Sequence, residues 1–322
     1  MPTSSTALAP FRLAPFFRTR PWGFRNLAPW FDYQTDGEPI GEVWLSGEMC
    51  EAATGPLQGQ SLAAITRHHG AALLGSRTGQ DFPLLVKILF PKEKLSVQVH
   101  PDDALAQKYG EPRGKTECWY ALDAEPGAQV ALGIRPGTTK QQVEAAIADQ
   151  TLESLLQMVP VQTGDMIFVD AGTVHAVGPG AILLETQQTS DLTYRMYDYG
   201  SARELHPEKA MAAMRLQTGA GKVPPRTVDG HRVLIAERYF SVERWTVNAE
   251  TAPSLTEPAD TVQMLFVQSG QIQIAAKDPG PDNFEPFVVE KNQLAVIPSV
   301  TAPWTLVQDQ PAEVIRILPA QD

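Results

Sequence analysis

Residues 164–175 read Gly164-Asp165-Met166-Ile167-Phe168-Val169-Asp170-Ala171-Gly172-Thr173-Val174-His175. A short apolar run is held between two glycine-bearing turns, and a histidine follows. Runs of this length bounded by Gly and Asp read as strands. The pattern recurs outward in both directions, at Gly41–Leu45, Leu84–Leu89, Leu95–His100, Cys118–Leu122, Gln129–Leu132, Ile182–Gln187 and Leu192–Tyr197. That spacing predicts an all-β barrel or sandwich. Helical patterns are few. Asp102–Tyr109 follows a proline and offers Asp102 or Asp103 as a cap, and Thr139 with Gln142 forms a capping box opening a helix through about Ala148. Leu152–Met158 and Leu205–Arg215 are two further helical patterns.

Gln217–Arg226, rich in Gly, Thr and Pro, reads as a linker. Beyond it, Val233–Ile235, Ser241–Trp245, Met264–Val267, Gln271–Ala275, Phe287–Val289, Leu294–Ile297 and Val314–Leu318 again look like short strands. A boundary near residue 225 therefore divides a β domain with short helices (1–225) from a smaller all-β domain (226–322). A chain of 322 residues is long enough for two domains.

Composition excludes several classes. The chain has 26 Lys and Arg against 37 Asp and Glu, a formal charge of −11, and no basic run, which argues against nucleic-acid binding driven by phosphate neutralisation. A small anion needs only a few local cations. No apolar run reaches the length of a membrane-spanning helix. Cys50 and Cys118 are too few for a disulfide framework and point to a reducing compartment. The first 31 residues carry four Arg and no acid, as a transit peptide would. Trp22, Gly23 and Trp30 among Pro-broken apolar patches read instead as folded domain, so the expectation is a cytoplasmic protein with an intact N-terminus.

Strand side chains alternate between faces. In Leu95-Ser96-Val97-Gln98-Val99-His100-Pro101, the alternation puts Leu95, Val97 and Val99 on one face and Ser96, Gln98 and His100 on the other. In Gly114-Lys115-Thr116-Glu117-Cys118-Trp119-Tyr120, it puts Lys115, Glu117 and Trp119 together. Inward polar groups are costly unless they are paired or bind a metal. A lone inward His reads either as a hydrogen-bonded core residue or as a ligand. Cys118 alternates away from Glu117 and reads as packing, as does Cys50. His68-His69-Gly70 reads as a solvated polar turn, His206 before Pro207 as a helix start, and His231 as a turn residue.

The 164–175 stretch resembles the second motif of the cupin superfamily, with Asp170 where Pro is usual. The resemblance implies that its glycines form tight turns and that His175 projects into a jelly-roll barrel. Gln98, His100, Glu117 and His175 would then offer two imidazole nitrogens and two oxygens, a set suited to Zn²⁺, with Mn²⁺, Co²⁺ and Fe²⁺ as alternatives. Residues 292–303 repeat the spacing, but Asn292 replaces the first Gly and Pro303 stands in the His position. A second, structural cupin barrel without metal ligands is expected there.

Five blocks in register carry the resemblance further. Gln98-Val99-His100-Pro101, Gly114–Tyr120, Gly172-Thr173-Val174-His175-Ala176, Leu184-Glu185-Thr186-Gln187-Gln188 and Asp191–Tyr199 are similar to signatures of the type I mannose-6-phosphate isomerase family, in its short prokaryotic form. Weaker features run from Pro21-Trp22-Gly23 and Gly41-Glu42 into the C-terminal domain. The resemblance implies a mainly β fold of two cupin-type barrels. It also implies a metal-dependent interconversion of mannose 6-phosphate and fructose 6-phosphate through a cis-enediol or enediolate.

By that resemblance the metal ligands are Gln98, His100, Glu117 and His175. Lys115 lies two residues before a ligand, where a neighbouring cation would favour its neutral amine; the alternative is a permanent cation that binds phosphate. Arg195 offers a fork for phosphate or enediolate, and Ser96 either a hydrogen bond to substrate or a simple cap on the pocket. Glu185 reads as an acid/base or as an ion-paired wall residue. Lys115, Glu185 and solvent at the metal stay equal as candidate bases. Two other functions remain open from sequence: a metal-free sugar-phosphate sensor, and an oxygenase using two His and one carboxylate. The expected partner is a small phosphosugar, with neither nucleic acid nor membrane.

Overall fold

Short strands drawn chiefly from residues 17–43 and 87–223, which form one compact unit, build two facing sheets. The computed structural model describes residues 7–33, 37–75, 81–256, 259–278 and 283–320. The larger sheet has seven strands, in the order Gly221–Val223, Met166–Val169, Glu117–Ala124, Ala181–Gln188, Leu84–Leu89, Ile40–Trp44 and Phe16–Phe24. The smaller has five, in the order Tyr194–Tyr197, Val97–Val99, His175–Val177, Gln129–Ile134 and Leu156–Pro160.

Between the sheets lies a core of Trp22, Leu95, Trp119, Val130, Leu132, Ile167, Val169, Val177 and Leu183. Fully burying one such aliphatic side chain contributes about 1.5–3 kcal/mol. A separate cluster joins Val97, Val99, Tyr194 and Met196 to the helices Lys140–Ala148 and Pro207–Ala213. Val97 and Val99 thus belong to the cluster that contains the helices, as alternation requires. Leu95 departs from the expected face: it precedes the strand and packs in the core with Trp119.

Helix starts follow local chemistry. Asp102 caps Asp103–Lys108 by accepting from Leu105 N–H, and Thr139 with Gln142 forms the reciprocal capping box of Lys140–Ala148. Leu205–Arg215 contracts to Pro207–Ala213, entered at His206 with Pro207 in its first turn. Leu152–Met158 is not one helix. A single 3₁₀ turn, Leu152–Leu155, gives way to the edge strand Leu156–Pro160, which buries Leu156 and exposes Gln157, Met158 and Pro160. The segment read as a linker also holds structure, because Gly221–Val223 pairs antiparallel with Met166–Phe168.

The second unit comprises residues 1–16, 44–86 and 224–322. A seven-stranded sheet runs from Phe11–Leu13 to Arg226–Val228, and a three-stranded sheet contains Gln271–Ala276 at its centre. Its core is built on Trp245, Val247, Leu265, Ile272, Val289, Ile297 and Val314. Here His68-His69-Gly70 is not a turn. It lies within the helix Leu62–Leu74, which buries Leu62, Ile65, Thr66, Leu73 and Leu74 along one stripe and bends at His69 (φ −127°, ψ 19°). Asn292 adopts φ 66°, close to the φ 90° of Gly164, so the Gly-to-Asn exchange keeps the left-handed turn. Among the described residues, no helix is long and apolar enough to cross a membrane.

Candidate metal centre and active site

Three neighbouring strands bring the chemistry together. Gln98 pairs with His175 across adjacent strands of the five-stranded sheet, and Arg195 pairs with Gln98 on its other side. Glu117 opens a strand of the opposite sheet beside Ala181–Gln188, which carries Glu185. His100, Glu117 and His175 are buried, and one donor atom from each lies within 4.8 Å of the others.

The two imidazoles are locked in the same tautomer. His100 Nδ1–H donates to Leu192 O at 2.8 Å and His175 Nδ1–H to Thr173 O at 2.9 Å. A carbonyl can only accept, so each Nε2 keeps its lone pair. These atoms converge on one carboxylate, His100 Nε2 at 3.6 Å from Glu117 Oε2 and His175 Nε2 at 3.5 Å from Glu117 Oε1. Burial is the chief reason both imidazoles resist protonation; Lys115 and His175 add to it at His100. The His100 pKa lies well below the usual histidine range, and that of His175 falls to about 4.

A divalent cation fits this set. His100 Nε2 is buried without a hydrogen-bond partner and faces Glu117, which would be costly if nothing ever occupied the space between them. Metal–donor bonds of about 2.1 Å at tetrahedral angles put donor atoms about 3.4 Å apart, close to the 3.6 and 3.5 Å between each imidazole Nε2 and a Glu117 oxygen. Gln98 Nε2 lies 3.2 Å from His175 Nε2, donating to its lone pair. Turning the amide over would present Oε1 instead.

Lys115 and Glu185 stand beside the triad. Lys115 Nζ lies 2.9 Å from Glu117 Oε2 and 3.5 Å from Glu185 Oε1. Burial, reinforced by the Glu117 charge, raises the Glu185 pKa against the pull of Lys87 and Lys115. Lys87, buried at 3.1 Å from Glu185, holds its proton above the ordinary lysine range: burial opposes the charge, but Glu185 and Glu42 outweigh it. Trp119 sets its ring against the His175 ring, centroids 5.5 Å apart.

A cavity of about 420 Å³ opens onto this cluster, with Ser96, Gln98, Lys115, Glu185 and Arg195 in its wall. Every residue singled out in the sequence for substrate or acid–base work thus borders one space or the triad behind it. Arg195 is fixed by Nη1–H donation to Glu204 O at 2.7 Å and keeps a buried Nε without a partner. Five basic and three acidic described side chains line the cavity, a local excess of positive charge in an acidic chain.

Sequence reasoning missed Arg20, Glu42, Lys87 and Arg203 of this wall. Lys87 had a legible signal, a lone charge inside the wholly buried strand Leu84–Leu89. Gly41-Glu42 is a weak family feature whose sequence context assigns Glu42 no role. Arg20 and Arg203 carried no signal of their own. Cys118 is buried, as packing requires. Cys50 is buried too, and its thiol pKa is pushed up to about 12 mainly by desolvation.

The comparisons with known proteins agree with this geometry. A family model for the catalytic domain of phosphomannose isomerase type I matches residues 11–150. The mannose-6-phosphate isomerase of Streptococcus mutans is 32% identical over 296 residues, covering 88% of this chain and 90% of that protein. Mannose-6-phosphate isomerase ManA of Bacillus subtilis is 35% identical over 268 residues, 77% of this chain and 83% of its own. A crystal structure of the mannose 6-phosphate isomerase from Bacillus subtilis superposes with a TM-score of 0.83 at 30% identity, covering 96% of this chain and 99% of that one. The chain belongs to the type I phosphomannose isomerase family.

Proposed function

We propose that this protein interconverts mannose 6-phosphate and fructose 6-phosphate, moving a proton between C2 and C1 through a cis-enediol or enediolate. One divalent cation would be held by His100, Glu117 and His175, with the Gln98 amide oxygen as a fourth donor. Zn²⁺ suits two imidazoles and two oxygens best; Mn²⁺, Co²⁺ and Fe²⁺ accept the same set. The observation that carries the reading is the convergence of two tautomer-locked Nε2 atoms on Glu117 beside the Lys115–Glu185 pair. When bound, the cation supplies Lewis-acid stabilisation at the O1/O2 end of the opened sugar.

The chain's own groups do the rest. Lys115 and Glu185, 3.5 Å apart, form a pair that can take a proton from C2 and return it to C1. The raised pKa of Glu185 suits a carboxyl that must hold that proton briefly. The Arg195 fork stabilises charge developing on the enediolate, and Ser96 orients a sugar hydroxyl. All of these groups lie in residues 87–223, which supports assigning catalysis to the metal-bearing domain. Asn292 and Pro303 support a structural role for the other barrel. The two free cysteines support a cytoplasmic location.

Turnover of mannose 6-phosphate in deuterium oxide tests the reading. Deuterium entering C1 of fructose 6-phosphate is the expected result. Absence of fructose 6-phosphate, or product formed only with oxygen and 2-oxoglutarate, would overturn it.

A further inference from the structure

A buried chain of alternating charge crosses the seven-stranded sheet. Glu117, Glu185, Lys87, Glu42 and Arg20 come from five successive neighbouring strands. Lys115 closes the gap between the first two carboxylates, at 2.9 Å from Glu117 and 3.5 Å from Glu185. Lys87 then bridges Glu185 at 3.1 Å and Glu42 at 3.8 Å. Arg20 ends the chain. Its Nε and Nη2 donate to the two Glu42 oxygens at 2.8 and 3.2 Å, and Nη1 donates to Thr19 O at 3.3 Å. Three of five N–H groups are thereby used and two are left for a ligand.

The ends of this chain differ in a way that matters for an elongated substrate. At the Glu117 end, the cavity wall is Gln98 and Lys115, both touching the triad. At the other end it is Arg20, whose side chain is 24% exposed where that of Lys87 is 4%. Arg20 sits four strands from Glu117, at about 4.8 Å per strand along the sheet. Arg195 sits on the strand next to Gln98 and directly opposite it in register.

We propose that Arg20, held in a fixed fork by Glu42, is a specificity-determining residue that grips the phosphate of the substrate at the far end of the cavity. This rests on the isomerase reading above. A phosphosugar with its carbonyl end at the triad points its anionic end away from Lys115. A guanidinium already oriented by a buried carboxylate loses little further freedom on binding it.

The test compares the metal-loaded protein with Arg20→Ala and Arg20→Lys. It measures kcat and KM for mannose 6-phosphate, bound metal, and binding of inorganic phosphate by calorimetry. Loss of charge-assisted hydrogen bonds predicts that Arg20→Ala raises both KM and the phosphate Kd by about ten- to a hundredfold, with the loss in KM rather than kcat and bound metal unaltered. Arg20→Lys, which keeps the charge but not the fork, is expected to fall between. A KM and phosphate Kd that rise less than about fivefold, or a loss carried by kcat alone, would overturn the assignment. If the unaltered protein fails to isomerise mannose 6-phosphate, the isomerase reading falls by itself, and the phosphate Kd of Arg20→Ala still decides the role of Arg20.

Discussion

The Lys115 ammonium stands 2.9 Å from Glu117 Oε2, the oxygen that also faces His100. One carboxylate thus serves the metal triad on one side and the acid–base pair on the other. That geometry separates two kinds of variant. His100→Ala removes a donor and is expected to lose both metal and activity. Lys115→Met is expected to keep near-stoichiometric metal while turnover falls by about a thousandfold or more. Metal analysis and steady-state kinetics on the two proteins check this, and full activity in Lys115→Met would remove that residue from the chemistry.

Lys87 is the buried cation between two buried carboxylates, Glu185 and Glu42. Its replacement by Met leaves Glu185 to Lys115 and Glu42 to Arg20, so the expected loss is about 3 kcal/mol, the low end for breaking a buried pair. Urea unfolding at neutral pH should register the loss. An unchanged midpoint would show that the carboxylates find other compensation.

The metal-free protein should weaken in acid through His175. Its folded pKa of about 4 lies below the 6.5 of an unperturbed histidine, so the unfolded chain binds the proton first as pH falls. The contribution is fully present above pH 6.5 and is lost as pH drops through the window down to about 4, on the order of 3 kcal/mol in all. Unfolding of chelated protein between these limits, compared with chelated His175→Gln, isolates the effect. An equal pH slope in both proteins would contradict it.

Gly172 adopts φ +90°, and a Cβ there would sit 2.9 Å from the Arg215 side chain. Gly172→Ala is expected to destabilise the fold by more than about 1 kcal/mol and to weaken metal binding, since the same turn delivers His175. Thermal unfolding and metal titration measure the two effects.

Strands bounded by turn residues, such as Leu84–Leu89 and Met166–Val169, were legible in sequence because period and punctuation are local properties. The capping box at Thr139 was legible for the same reason. The pairing of Phe11–Leu13 with Leu294–Val296 was not, because register between segments so far apart leaves no local mark. Helix Leu62–Leu74 escaped because paired histidines and Gly70 mask its apolar stripe. At the site, Gln98, His100, Glu117 and His175 stood out as polar residues in strand phase. Arg20 and Arg203 look like ordinary surface arginines until the fold places them on one cavity.

The most direct test of the central claim is the metal stoichiometry of the purified protein, followed by its rate of fructose 6-phosphate formation before chelation, after chelation and after restoration of one divalent cation. About one bound cation per chain is expected, with loss of turnover on its removal and recovery on its return. Turnover untouched by complete metal removal, or none in the fully loaded protein, would contradict it.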